Sequence, residues 1–330
     1  MLFRSSRLSV QVTRGELIES NHNIKAIFLD QNRKVIFNQK SSRRVFPRSA
    51  IKILQAIPFI QSKAIDQFNL TAKHVALSCA SHNADLVHVE TAIDWIKKLK
   101  KTEKVLLCGH HRPMGSDNSK KILKLTNQKS PILNNCSGKH LGMISRCLVD
   151  SINIKEYLNF NNQHQIQIFE VLENLFEAKI ENLTRDGCHA PMFSIPLKNL
   201  ALAALKVSNH EKMIPQYSSA IEKSLISINR YPFLTAGQNQ FDSNIIKATK
   251  GRIYFKRGAE GIGFVVDRKN KIGGAIKVED GNMRALPIAT LALLNQLKLI
   301  NKNELHLLKK WSDIPILNCN KLEVGKISVA

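Results

Sequence analysis

Apolar residues alternate at both ends of this chain and recur at helical spacing in between, and that order restricts the architecture more than any composition figure does. Near the N-terminus, residues 16–20 and 25–30 read as two strands around a turn at 21–23, and residues 34–38 as a third strand after a turn at 30–33. Pro47 then precedes a helix in which Ile51, Leu54 and Ile57 share a face until Pro58. From about residue 62 to 230 the spacing is mostly helical, clearest at 87–99, 161–175, 197–207 and 217–228. Strand patterns return at 252–256, 261–267 and 273–278, with a hairpin turn at 268–270, and an amphipathic helix at 284–299 closes the core. The order predicts an α/β (α+β) fold: an antiparallel sheet assembled from both chain ends around a large helical insertion. Residues 1–60 and 230–330 form the sheet-containing part and 61–229 the helix-rich part, one interdependent unit with its site at the seam.

With 330 residues, 43% of them hydrophobic, the chain has ample material for a core, which excludes a disordered tail protein and a disulfide-stapled miniprotein. The longest apolar stretch, 286–294, is broken by Thr290 and falls far short of the ~20 residues of a membrane helix. The first ten residues lack the apolar core of a secretory signal, so a cytoplasmic location is expected, and the six cysteines, with no CxxC pair, read as reduced thiols. A formal charge of +23 raises the question of an anionic partner. The lysines are dispersed and few aromatics stand beside them to stack bases, so neither nucleic acid nor membrane is expected as a partner.

Five segments carry candidate chemistry. Ser49 and Lys52 form an SxxK pattern just after Pro47; three residues apart on a helix they share a face, although a helix-start serine beside a surface lysine gives the same spelling. Ser81 lies in LSCASHNAD next to His82, with His88 seven residues on, either as site material or as the polar loop that caps the next helix. The run Asn134, Asn135, Cys136, Ser137, Gly138, Lys139, His140 has too many donors, acceptors and too little apolar mass for packing alone. A second polar turn, Asp186 to Pro191, contains Cys188, so Cys136 and Cys188 can meet and share a soft cation such as Zn²⁺, although neither spacing is a zinc-finger signature. Lys256 ends a strand in FKRGAEGIG; no βαβ unit precedes those glycines, which argues against a nucleotide loop. Ser116, Asp117 and Asn118 spell SDN, read here as a polar loop.

Taken in order, RGELIES at 14–20, PRSAIKILQAIP at 47–58, CASH at 79–82, LLCGHHRP at 106–113, NNCSGKHLGM at 134–143, DGCHAP at 186–191, PFLTAGQNQFDS at 232–243, KRGAEGIG at 256–263 and GGAIKVEDG at 273–281 strongly resemble the thermolabile or Rhizobium etli-type L-asparaginases of the asparaginase II family. The resemblance implies a fold like that of serine β-lactamases and penicillin-binding proteins, a homodimer, and hydrolysis of the side-chain amide of L-asparagine to L-aspartate and ammonia. It pairs Ser49 with Lys52 and Ser81 with Lys256 as catalytic residues, gives Cys136, Lys139 and Cys188 as ligands of Zn²⁺, and sets Arg48, His140 and Asp186 near the substrate. The chain departs from the family pattern where a glycine after the DGC cysteine is His189 and where the glycine and glutamate after ASH are Ala84 and Asp85.

Amide hydrolysis needs an activated nucleophile, a stabilised oxyanion and a protonated leaving group. A lysine takes the proton of a serine, or binds zinc, only as the neutral amine, because an ammonium has no lone pair. On this reading the serine pair attacks and the metal orients the substrate. Related readings are a glutaminase or β-lactamase-like acyl hydrolase on the same fold, or a catalytically silent amino-acid- or zinc-binding protein.

Overall fold

IGFVVD and IGGAIKV, the strands β8 (Ile262–Asp267) and β9 (Ile272–Val278), are buried at every position but one, so the sheet that holds them is covered on both faces. The structure, a computed structural model, describes residues 8–115, 122 and 124–330, so the SDN segment lies outside the described residues. The described residues divide into two compact units, one of residues 1–50, 196–209 and 248–330 and one of residues 51–195 and 210–247.

The first unit holds an eight-stranded antiparallel sheet drawn from both chain ends, as the order of sequence patterns predicts. Its strands are β1 (Ser9–Arg14), β2 (Leu17–Leu29), β3 (Val35–Gln39), β7 (Ile253–Gly258), β8, β9, β10 (Ile314–Leu317) and β11 (Glu323–Val329). They run in the order β10-β11-β1-β2-β9-β8-β7, with β3 on the other side of β2; a two-residue strand, β4 (Arg44–Val45), and a hairpin of the second unit, β5 (Glu181–Arg185) and β6 (Pro191–Pro196), complete the numbering. The turn expected at 21–23 is absent. Asn21 and Asn23 face solvent while His22 turns inward, so the alternation simply continues through them, and β2 pairs first with β1 and then with β9. The real turn is at Gly15, whose φ of +54° suits glycine.

The helix Leu197–Ser208 covers one face of this sheet and Ala285–Gln296 the other. A Cβ on Gly273 would collide with the backbone of Leu205, so glycine is what lets the first helix lie directly on β9. Gly263, on the opposite face, leaves room for Leu286, 3.2 Å from where its Cβ would stand. The helix expected to be amphipathic at 284–299 is instead apolar all round, because strands lie beneath it and chain from the C-terminal region packs over it: Ala285 to Leu291, Leu293 and Leu294 are buried.

The second unit is built on helices Ala72–Ser78, Leu86–Lys98, Ser137–Val149, Gln163–Phe176 and Pro215–Arg230. Gly138 lets Ser137–Val149 touch Ala72–Ser78, since a Cβ there would strike the Leu77 carbonyl. The buried Trp95 indole donates to Ser145 Oγ at 2.9 Å and ties Leu86–Lys98 to the same helix. Pro58 does not end a helix but occupies the first turn of a new short one, Ile57–Gln61, where its missing N–H costs nothing. No helix among the described residues is long and apolar enough to cross a membrane.

Replacing Gly273 by alanine forces the Leu197–Ser208 helix off β9 and is expected to cost about 2 kcal/mol. A urea denaturation midpoint unchanged from that of the parent protein would refute that close seating.

Candidate active site

The chain enters the second unit through a 3₁₀ turn, Arg48–Ile51, that runs straight into the helix Lys52–Gln55. Lys52 is wholly buried, and its terminal nitrogen meets three oxygens: the Ala80 carbonyl, Ser81 Oγ at 2.9 Å and the Asn135 carbonyl at 3.4 Å. Two of these are carbonyls and can only accept. A neutral amine that gives its two N–H bonds to them has its lone pair left for the Ser81 hydroxyl proton. The local arrangement therefore supports proton exchange between Lys52 and Ser81.

The loop after Ala72–Ser78 is held rigidly for this purpose. Ser81 and Asn83 donate their backbone N–H groups to the Thr235 and Ala236 carbonyls at 2.9 Å each, and His82 donates its own to Asn135. His82 Nδ1 accepts from the Ala84 N–H at 3.0 Å, so its Nε2 carries the hydrogen that is given to Ser137 Oγ at 2.8 Å. His88 stacks on His82 at 5.0 Å, accepts from the Asp85 N–H and donates to the Phe233 carbonyl. Burial, then the neighbouring His88, holds His82 well below the usual histidine range, and burial likewise lowers His88. Both rings brace the loop as neutral struts. The Thr235 hydroxyl, beside Ser81, is buried without a hydrogen-bond partner among the described residues.

The NNCSGKH segment forms the start of Ser137–Val149, and the turn between β5 and β6 brings Cys188 to it. Lys139 Nζ donates to Cys188 Sγ at 3.3 Å, and Cys136 and Cys188 share a hydrogen bond. That bond from Cys136, together with the Lys139 charge, drives the Cys188 thiol far down, while the same bond and burial push Cys136 up. Burial opposes the Lys139 ammonium, yet the nearby charges of Cys188, Cys136 and Asp186 raise it.

These three donors suit a tetrahedral metal. Bonds of about 2.0–2.3 Å at tetrahedral angles put neighbouring N and S donors roughly 3.5 Å apart, close to the observed 3.3 Å between Lys139 and Cys188. Binding would release the protons of Lys139 and Cys136, since ligands must be deprotonated. Among the described residues no group of three or more His, Cys, Asp or Glu converges, and His189, exposed, does not join the set.

His140 follows Lys139 and is wholly buried, with Nδ1 2.6 Å from the Tyr157 hydroxyl and Nε2 without a hydrogen-bond partner among the described residues. Burial, aided by the Lys139 charge, pushes it down to about 3. Asp186, half-buried, accepts from the Gly187 N–H at 2.8 Å and adds its charge beside Lys139.

Lys52, Ser81, Cys136, Lys139, His140, Asp186 and Cys188 thus all belong to the second unit. Arg48, Ser49 and Lys256 belong to the first. There, Gly258 at the end of β7 packs against Pro47 and Ala50, and Lys256 lies two residues earlier on the same face of that strand, wholly buried. Arg48 stands at φ +50°, a strained backbone for a residue with a Cβ. The amine of Lys52 is bonded to Ser81, and the turn carrying Ser49 lies against the strand of Lys256. Spacing could not reveal that the Asn135 carbonyl meets Lys52 or that His82 meets Ser137, although their segments stand out, and Tyr157 carries no motif of its own.

The chain resembles known proteins at the level of family. It matches the family model described as L-asparaginase II over residues 10–329 and belongs to that family. No curated protein matches the chain. Among solved structures, Mglu in its native form in 4.3 M NaCl is similar with 11% identity and a TM-score of 0.49, over 86% of this chain and 62% of that one. The chain thus spans less than two thirds of that relative's length. The Bacillus subtilis glutaminase in covalent complex with 5-oxo-L-norleucine is similar with 10% identity and a TM-score of 0.37, over 84% of this chain and 87% of that one. A β-lactamase from Sphaerobacter thermophilus is similar with 12% identity and a TM-score of 0.39, over 84% and 92%.

His140 and His164, the latter accepting from Arg146 at Nδ1, are both held neutral, chiefly by burial, and both are pushed down to about 3 from 6.5. The unfolded chain takes up these protons near pH 6.5 and the folded chain does not, so stability is full above that pH and falls as pH drops toward 3. Each ring is expected to remove about 1–2 kcal/mol between pH 7 and pH 5. Urea midpoints at the two pH values measure the loss, and His164→Gln should shrink it.

Proposed function

We propose that this chain hydrolyses the side-chain amide of L-asparagine to L-aspartate and ammonia by serine–lysine chemistry. The observation that carries the reading is the fully buried Lys52 amine, hydrogen-bonded to Ser81 Oγ and flanked by two carbonyls. As the neutral amine it takes the proton of the attacking hydroxyl, which belongs to the serine pair Ser49 and Ser81 that the resemblance implies. The attacking oxygen bonds to the amide carbon, giving a tetrahedral intermediate. When the C–N bond breaks, the proton returns from Lys52 to the departing nitrogen, which leaves as ammonia. Water repeats the sequence on the resulting ester, freeing aspartate and restoring the serine. Lys256, wholly buried, is the second lysine that the resemblance brings to this chemistry.

Zn²⁺ held by Cys136, Lys139 and Cys188 would supply a fixed positive charge that orients the substrate. Arg48, His140 and Asp186 address its amino-acid end, where a carboxylate and an ammonium call for a cation, a neutral donor and an anion.

Ammonia release from asparagine, glutamine and a chromogenic β-lactam, assayed with and without chelator, tests the reading. Asparagine should be turned over fastest. Ser49→Ala and Lys52→Ala should each lower kcat by about 100-fold or more, whereas Cys188→Ala should mainly raise KM. The reverse pattern, with kcat lost at Cys188 and kept at Ser49, would identify a zinc hydrolase instead.

A further inference from the structure

The Tyr157 hydroxyl is placed between two partners. It accepts the Leu107 backbone N–H at 3.0 Å and lies 2.6 Å from His140 Nδ1, with the two rings edge to face at 84°. The residue is wholly buried, and its own carbonyl is pinned by Gln165 Nε2 at 2.7 Å. A phenol has one hydrogen to give. If His140 Nδ1 carried the hydrogen, the tyrosine oxygen would accept twice and its own O–H would be left buried with no acceptor, an expensive arrangement. The economical one has Tyr157 donating to Nδ1, which leaves the hydrogen of the neutral ring on Nε2. Among the described residues that buried Nε2 has no hydrogen-bond partner. His140 directly follows Lys139 in the chain, and its backbone N–H donates to the Cys136 carbonyl at 3.1 Å.

We propose that Tyr157 is a positioning residue that holds His140 as an Nε2–H donor, so that the substrate atom His140 meets is an acceptor oxygen, from a carboxylate or amide carbonyl, and never an amino group. The ligand is the one named in the proposed function, and the inference rests on that reading only for its identity; the tautomer is a property of the free protein. A buried ring nitrogen held as a donor calls for an acceptor opposite it. It also assigns specificity: amines and alkyl groups of the same size are rejected because they leave the donor unpaired.

Long-range ¹H–¹⁵N spectra of histidine-labelled protein read the tautomer without any variant. The expected result is a His140 ring protonated at Nε2 and unprotonated at Nδ1; a ring protonated at Nδ1 overturns the proposal. Tyr157→Phe keeps the ring packing and removes the donor. It should shift the His140 nitrogen signals and raise KM for asparagine about tenfold, as loss of a hydrogen bond to a charged group does, with kcat within about twofold. Unchanged nitrogen signals and unchanged KM in that variant would also overturn it. If asparagine proves not to be hydrolysed at all, the functional reading fails while the spectrum of the parent protein still decides the tautomer.

Discussion

A lysine with no exposed surface must satisfy its amine inside the protein, and much of the local architecture of the second unit follows from how Lys52 does so. Its three acceptors come from two separate loops, 80–81 and 135, and both loops stand where they do because two helices touch. Ala72–Ser78 delivers the first loop and Ser137–Val149 begins just after the second, and Gly138 lets one helix rest on the other. Around that contact the backbone of 81–83 is laced to 235–236 and 135, and His82 and His88 prop it from behind. Preorganisation of this kind lets a polar group act without waiting for its surroundings to rearrange.

The sulfur cluster beside it obeys a different electrostatic logic. Lys139 is kept charged by the thiolate it touches, whereas the neutral struts at 82, 88 and 140 are kept uncharged by burial. Cations, anions and neutral donors thus stand within one small region without cancelling, because each has its own partner. Cys188 has Cys136 and Lys139, and His140 has Tyr157 on one nitrogen alone.

The sheet was legible in the sequence where apolar alternation was strong. Strands β7 to β9 and their hairpin fall where the pattern put them. The N-terminal hairpin was misread because asparagine is a turn former by chemistry, yet Asn21 and Asn23 occupy exposed positions of a strand that tolerates them. Strands β10 and β11 escaped notice because a half-exposed edge carries a weak apolar signal. In the site, the motif residues of the second unit were found by their density of polar groups, but not who bonds to whom. SxxK spacing puts Lys52 near Ser49 along the chain, while the bond to Ser81 depends on a loop thirty residues away, whose approach no local pattern encodes.

Two side chains occupy left-handed backbone in the very loops that carry this chemistry. Ala84 has φ +60° and His189 φ +67°, the positions where the family pattern has glycine. Each Cβ in that conformation carries roughly 1–2 kcal/mol of steric strain, set against a folding margin of only about 5–15 kcal/mol for a typical protein. The chain therefore keeps its reactive geometry under tension, and mutational headroom is thinnest where the loops hold their functional groups. Returning either position to glycine would relax the backbone locally and leave the neighbouring reactive side chains in place.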